Sequence, residues 1–263
     1  MVILFRRSLE EEGEFEVARQ VLGSDVVEFR SEVPEGQLVV GRYSVLPFYH
    51  ELQKELALRN SRLVNSYAQH QYIANMEWAR TLEGLTPATY RTWGNLPDGA
   101  YVVKGVTNSR KFQWATHMYA PTRKDVPTVV SRLMDDTMIR EQGVVVREYI
   151  PLMKLEEQIN GLPVTMEYRF FCYGDSILTS GFYWSNFVEE VDVPAKPPPE
   201  AVALVEKVLG RLPHEMFVVV DVALAEDGRW IVIELNDGQM SGLSCCPAEE
   251  LYEKLGQILA KIV

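Results

Sequence analysis

Cysteine is scarce in this chain: three residues in 263, at positions 172, 245 and 246, with no Cys-x-x-Cys spacing. That count excludes a paired disulfide framework and leaves no thiolate cluster for a structural zinc or a dithiol redox motif. The four histidines, His50, His70, His117 and His214, are scattered without ligand spacing, which argues against a histidine metal site. No apolar run reaches the ~18 residues of a membrane-spanning helix, and internal repeats and low-complexity tracts are missing. Basic residues are also in deficit, 26 against 37 acidic, for a formal charge of −11. A surface of that sign disfavours nucleic acid or an anionic membrane as the main partner, because both need a positive face. With 47% hydrophobic and 24% charged residues, the chain reads as an ordinary globular protein of one to two domains, expected in the cytoplasm with reduced thiols.

The first eighty-odd residues alternate strand and helix patterns. Val2 to Phe5, Asp25 to Phe29 and Gln37 to Gly41 are apolar runs of strand length. Between them Leu9, Val17, Val21 and Leu22 recur at roughly helical spacing, and Leu46-Pro47 opens a helix carrying Leu52 and Leu56. A further helix is predicted from Ser66 through Tyr72, Ile73, Met76 and Trp78. The Gly84-Leu85-Thr86-Pro87 break then sets a domain boundary. Beyond it the texture becomes strands separated by turns: Tyr101 to Lys104, Val144 to Tyr149, Thr165 to Cys172, Ile177 to Tyr183, Phe217 to Leu224 and Trp230 to Leu235. Helices are predicted over Val126 to Arg140, after Pro197-Pro198-Pro199, and from Pro247 to the end, the last with the apolar stripe Leu251, Leu255, Ile258, Leu259 and Ile262.

Four stretches carry candidate chemistry. The closing strands hold Asp221 in one and Glu234 and Asn236 in the next, with the hairpin signal Asp227-Gly228 between them. Period two puts Glu234 and Asn236 on one face, and a hairpin can bring Asp221 alongside. Carboxylates in apolar strands need a counter-charge. Magnesium, which prefers oxygen ligands, would supply it; so would arginine partners. Lys104 ends a strand and is followed by a polar loop reaching Lys111, a pattern suited to phosphate or to plain surface solvation. Glycine, asparagine and serine in residues 105 to 112 suggest a mobile cover. Glu148, Tyr149 and Ile150 lie where a buried strand emerges before Pro151, and the freed backbone edge there could read an adenine or simply leave the sheet. Glu167 and Arg169 share a strand face, and the arginine is either a bidentate phosphate clamp or half of a structural ion pair. Phe182-Tyr183-Trp184 packs core or borders a substrate pocket.

The order of these pieces, from about residue 87 to 246, resembles the ATP-grasp superfamily: a strand-borne lysine, a Glu-Tyr-Ile hinge, a Glu-x-Arg strand, then Asp followed by Glu-x-Asn. The details are most similar to the clade named for one arginine and two lysines. Its lysines would fall on Lys104 and on Lys111 of Lys111-Phe112, and its arginine on Arg169. Leu235-Asn236-Asp237-Gly238 with Ser241-Gly242-Leu243 resembles its closing motif, while Gly41-Arg42 and Leu63-Val64-Asn65-Ser66 look like its leading domain. Lys104-Gly105 departs from the lysine-proline of many relatives, and the acid that often binds ribose is not identifiable, with Glu156 and Glu157 as candidates.

The resemblance implies an α/β N-terminal unit, residues 1–85, plus an α+β ATP-grasp fold, residues 86–263, whose two subdomains grip ATP between antiparallel sheets. It implies ATP and magnesium, or manganese in its place, as cofactors, with Lys104, Lys111 and Glu148 to Ile150 on the nucleotide. Asp221, Glu234 and Asn236 would hold the metal, and Arg169 and Lys111 would act in catalysis. The implied reaction joins a small-molecule or peptide carboxylate to an amine through an acylphosphate. A nucleotide-driven switch for a partner and a phosphotransfer to a hydroxyl are the competing expectations.

Overall fold

The computed structural model describes residues 1–6, 13–43, 48–107, 109–159, 162–185, 193–213 and 215–262, with backbone alone at 156–159. Leu9, Leu46, Pro47 and His214 lie outside the described residues, as do the side chains of Glu156 and Glu157.

The N-terminal unit is a four-stranded parallel sheet of β1 (Val2–Phe5), β2 (Val26–Val27), β3 (Leu38–Arg42) and β4 (Arg62–Leu63), in the order β2-β1-β3-β4. Parallel neighbours need crossover connections, and helices α1 (Glu14–Leu22) and α2 (Tyr49–Ala57) supply them. Phe15 and Ala18 turn one side of α1 inward, and Tyr49, Leu52 and Leu56 do the same for α2. The strand expected over Asp25 to Phe29 shortens to Val26–Val27, because Gly23–Asp25 winds into a 3-10 turn after α1.

The helix expected from Ser66 through Trp78 is two helices. The first, α3 (Tyr67–Ala74), opens with a reciprocal cap in which Ser66 Oγ accepts from the Gln69 amide at 3.2 Å and Gln69 Oε1 from the Ser66 amide at 2.7 Å. It stops where Met76 takes φ = 55°, a left-handed value that ends a helix, and α4 (Trp78–Thr81) restarts it.

Two antiparallel sheets follow. The smaller contains β5 (Thr89–Tyr90), β6 (Tyr101–Gly105), β7 (Tyr119–Ala120) and β8 (Val144–Glu148) in the order β5-β8-β6-β7. Its covering helix, expected over Val126 to Arg140, is split into α5 (Val126–Met134) and α6 (Thr137–Gln142), since Asp136 caps the second with Oδ1 on the amides of Met138 and Ile139. A hairpin of β9 (Lys154–Ile159) and β10 (Leu162–Thr165) comes next.

The larger sheet has β11 (Glu167–Tyr173), β12 (Ser176–Phe182), β13 (Phe217–Leu224) and β14 (Trp230–Asp237) in the order β12-β11-β13-β14. The expected strand Thr165 to Cys172 is therefore shared between β10 and β11, broken at Met166. Helix α7 (Pro199–Leu209) packs Ala201, Val205 and Val208 on one face of this sheet, and α8 (Ala248–Leu259) packs Leu251, Tyr252, Leu255 and Leu259 on the other. Apolar clusters cross residue 85: Ile3, Phe5 and Phe15 share a core with Phe171, Phe217 and Tyr252. Among the described residues, no helix is long and apolar enough to cross a membrane.

Candidate active site

The two antiparallel sheets face one another across a cavity of about 420 Å³, inside the usual range for a small-molecule site. Lys104 from β6, Lys111 from the turn after it, Glu148 to Ile150 at the end of β8, Glu167 from β11 and Glu234 from β14 all line it. Arg169, Asp221 and Asn236 do not line it and stand beside it on the larger sheet.

Strand register explains how these side chains meet. Arg169 on β11 sits directly opposite Asp221 on β13, and Asp221 directly opposite Glu234 on β14. One row across three strands thus carries a cation and two carboxylates. Arg169 Nε and Nη2 donate to the two Asp221 oxygens, each at 2.8 Å, a bidentate pair with Asp221 fully buried. Its third donor, Nη1, reaches Gly242 O at 2.8 Å. Burial alone would lower the guanidinium's affinity for its proton, but the charge and hydrogen bonds of Asp221 outweigh it and raise that affinity. The loop holding Gly242 can lie this close because β12 is bare at Gly181, where a Cβ would stand 2.7 Å from the Cys246 amide nitrogen.

At the far end of the row, Lys104, only 8% exposed, donates to Glu234. Burial pushes the Glu234 carboxyl up, yet the ammonium groups of Lys104 and Lys111 and hydrogen bonds from Lys104 and Asn236 hold it well below the usual carboxylate range. A β-bulge follows: Asp221 pairs with Glu234 but Val222 with Val232, so Ile233 is the extra residue. Its carbonyl is taken at 2.5 Å by Arg147 Nη1, while the other guanidinium nitrogens reach Thr86 and Thr89. Burial pushes the Arg147 guanidinium down to about 10, the charge of Glu234 pulling it partly back.

The cavity wall also carries apolar side chains, among them Val102, Ile150, Leu152, Ile231 and Ile233. Here the amides of Glu148 and Tyr149 are satisfied by Ala88 O at 2.8 Å and Ala100 O at 3.0 Å. The next amide, of Ile150, a residue of the cavity wall, has no acceptor among the described residues. A flat heterocycle bearing a ring acceptor fits such a donor. Lysines and apolar side chains in the wall of one cavity suit a molecule with a polyanionic tail and a flat head.

The segment after β6 runs through a 3-10 turn, Lys111–Gln113, into a single π turn, Trp114–Met118. Lys111 Nζ donates to the Tyr183 hydroxyl and lies 4.6 Å from the Tyr183 ring centroid. Burial lowers its proton affinity, but Tyr183, Glu234 and Glu167 more than reverse this. Glu167, 4% exposed, accepts from Thr165 Oγ1 at 3.3 Å. Burial pushes its carboxyl up to about 7 against the opposing charge of Lys111, and Asp221 adds to the rise.

The oxygen donors suit a hard divalent cation. Glu234 is held ionised in the cavity wall with the Asn236 amide beside it, and each Asp221 oxygen keeps a second lone pair beyond the one facing Arg169. Among the described residues no three His, Cys, Asp or Glu side chains group to hold a metal ion; Asp221, Glu234 and Asn236 bring two carboxylates and one amide to neighbouring strands.

A sequence profile for the ATP-grasp domain, family 3 of the clade named for one arginine and two lysines, matches residues 92–255, more than half of the chain. The chain belongs to that ATP-grasp family. Solved structures agree with this fold along its whole length. D-cycloserine synthetase DcsG superposes on this ATP-grasp chain with a TM-score of 0.62 at 13% identity, over 98% of this chain and 100% of that one. The RimK-domain ATP-grasp protein from Sphaerobacter thermophilus DSM 20745 gives 0.57 at 15% identity, over 96% and 98%. The ATP-grasp ligase PsnB, in a complex with a precursor variant, Mg and ADP, gives 0.55 at 14% identity, over 97% of each chain. No curated protein sequence matches the chain.

Sequence reasoning assigned no role to Arg147 or Lys154, which this ATP-grasp structure brings to the cavity wall beside Trp184, a residue expected in the core or at a pocket border. Arginine inside the run Val144-Val145-Val146-Arg147 was a legible signal, since a buried guanidinium needs acceptors. Lys154 gave none, because what places it is the fold of β9 rather than any local spacing.

Proposed function

We propose that the protein is an ATP- and magnesium-dependent carboxylate–amine ligase that works through an acylphosphate and releases ADP and phosphate. The observation carrying this reading is the charged row Arg169–Asp221–Glu234–Lys104, of which Glu234 and Lys104 line the same cavity as the Glu148–Ile150 backbone edge. ATP matches both features, with adenine on the Ile150 amide and phosphates on Lys104 and Lys111. Asp221, Glu234 and Asn236 would hold magnesium, which supplies charge neutralisation for the phosphates. That PsnB was solved with Mg and ADP, and that DcsG is named a synthetase, supports the same cofactors and reaction type here.

In this reading a substrate carboxylate oxygen attacks the γ-phosphorus and the bond to ADP breaks; an amine nitrogen then attacks the acyl carbon and phosphate leaves. The substrate itself is the nucleophile, so the residues contribute positioning and electrostatics. Lys104, Lys111 and Arg169 balance the charge that moves during transfer. The fork of Arg169 suits a phosphoryl group, although it is spent on Asp221 in the present arrangement. The substrates are an amino-acid, peptide or protein carboxylate and an amine. Residues 1–85 form a leading unit and 86–263 the ATP-grasp unit, and three unpaired cysteines suit a reducing cytoplasm.

The test is magnesium-dependent ADP release across amino acids, peptides and protein termini. Steady release that depends on an added amine is expected. Tight ATP binding without turnover would replace the ligase with a nucleotide switch.

A further inference from the structure

Lys111 occupies a site that does not belong to its own segment. Its ammonium donates to the Tyr183 hydroxyl and lies 4.6 Å from the Tyr183 ring and 5.6 Å from the Trp184 ring. The two rings meet at 5.1 Å and 84°, so they form a right-angled corner. Glu167 borders the same corner: its backbone oxygen accepts from the Tyr183 amide at 3.0 Å, and its side chain is linked through Thr165 Oγ1 to the Trp184 indole N–H, each contact 3.3 Å. Two aromatic faces, a hydroxyl and a carboxylate together make an ammonium receptor.

The walls and the occupant differ in how they are held. Tyr183, Trp184 and Glu167 are 9%, 5% and 4% exposed and are fixed to the larger sheet. Lys111 hangs from a short 3-10 turn whose neighbours Arg110, Phe112 and Gln113 are exposed. A built receptor with a removable cation is the arrangement expected if the receptor serves another ammonium ion at a different stage.

We propose that the Tyr183–Trp184–Glu167 corner is the binding site for the primary ammonium group of the amine substrate, and that Lys111 is its internal stand-in, drawn off when nucleotide phosphates arrive. This rests on the ligase reading above. Two ammonium ions cannot share one corner, because like charges a few ångströms apart in a partly dry site repel strongly. Amine binding therefore follows nucleotide binding, and an amine does not enter before there is a phosphorylated carboxylate to receive it.

The probe is ethylammonium, a lysine head group without its chain, followed by saturation-transfer NMR with ethanol as the uncharged control. The parent protein alone should show no saturable binding, and the parent with AMP-PNP and magnesium should show it. K111A should bind ethylammonium without any nucleotide, and K111S serves as a second opened form, with circular dichroism checking both folds. Adding E167Q to K111A should weaken binding by about tenfold or more. The proposal is overturned if the opened forms bind no ethylammonium, or if K111A/E167Q binds it as well as K111A. Calorimetry with AMP-PNP separates the two layers: a protein that binds no nucleotide refutes the ligase reading, while K111A still decides the fate of the corner.

Discussion

Replacing Asp221 tests the charged row at its most buried point. Asp221 has no exposed surface and receives two hydrogen bonds of 2.8 Å from Arg169, itself only 8% exposed. Asp221→Ala leaves that guanidinium with Gly242 O and the face of Tyr183, 4.8 Å away, as its remaining partners. Removing one member of a buried ion pair costs about 3–5 kcal/mol, because the other charge stays desolvated. At about 2–4 °C per kcal/mol for a chain of this size, the melting temperature should fall by roughly 6–20 °C. Asp221→Asn keeps the shape and one acceptor and should lose about half as much, since charge-assisted hydrogen bonds are about twice as strong as neutral ones. In the pair Arg169→Met with Asp221→Leu neither charge is stranded, so its loss should be well below the sum of the two single losses. Urea unfolding and calorimetry on these variants measure this. An Asp221→Ala protein within about 1 kcal/mol of the parent would refute the argument that this pair is buried and mutually required.

Three further outcomes follow from the same geometry. Glu167 has a folded pKa near 7, above its unfolded value of 4.5, so its contribution is fully present below the unfolded value and is lost as pH rises through 7. Glu167→Gln should therefore stabilise the protein relative to the parent at about pH 8, by at most about 3 kcal/mol, and give no gain near pH 4; equal differences at both pH values in urea unfolding would contradict this. Lys104→Ala should weaken calorimetric ATP affinity by about 1.5–3 kcal/mol, one charged phosphate contact, and an unchanged affinity would remove Lys104 from the nucleotide site. Amide exchange across Ser109 to Met118 should slow when AMP-PNP and magnesium are added, and unaltered exchange would leave Lys111 where the structure has it, in the aromatic corner.

The sequence made the closing hairpin legible because its signals are local. Asp227-Gly228 marks the turn, and period two puts Glu234 and Asn236 on one face. The partner of Asp221 was not legible: Arg169 is 52 residues away, and the β11–β13 register that sets them opposite depends on packing of the whole sheet. Register also inserted Ile233 as a bulge, and with it the carbonyl that engages Arg147. Both helix misreadings came from apolar periodicity running past a local stop. Met76 at positive φ breaks one, and Asp136, a better cap than interior residue, breaks the other. The hairpin β9–β10 was missed because Lys154, Glu156, Glu157 and Gln158 show no apolar alternation. The aromatic corner could be named as a cluster at Tyr183-Trp184 but not assigned, since its meaning lies in which lysine reaches it.

The central claim is that a substrate carboxylate is activated by phosphoryl transfer from ATP. Amino acids and peptides carrying 18O in their carboxylates, incubated with the protein, ATP, magnesium and an amine, test it by 31P NMR. ADP should form together with phosphate that carries one 18O from the carboxylate. AMP with pyrophosphate, or phosphate free of the label during amide formation, would contradict it.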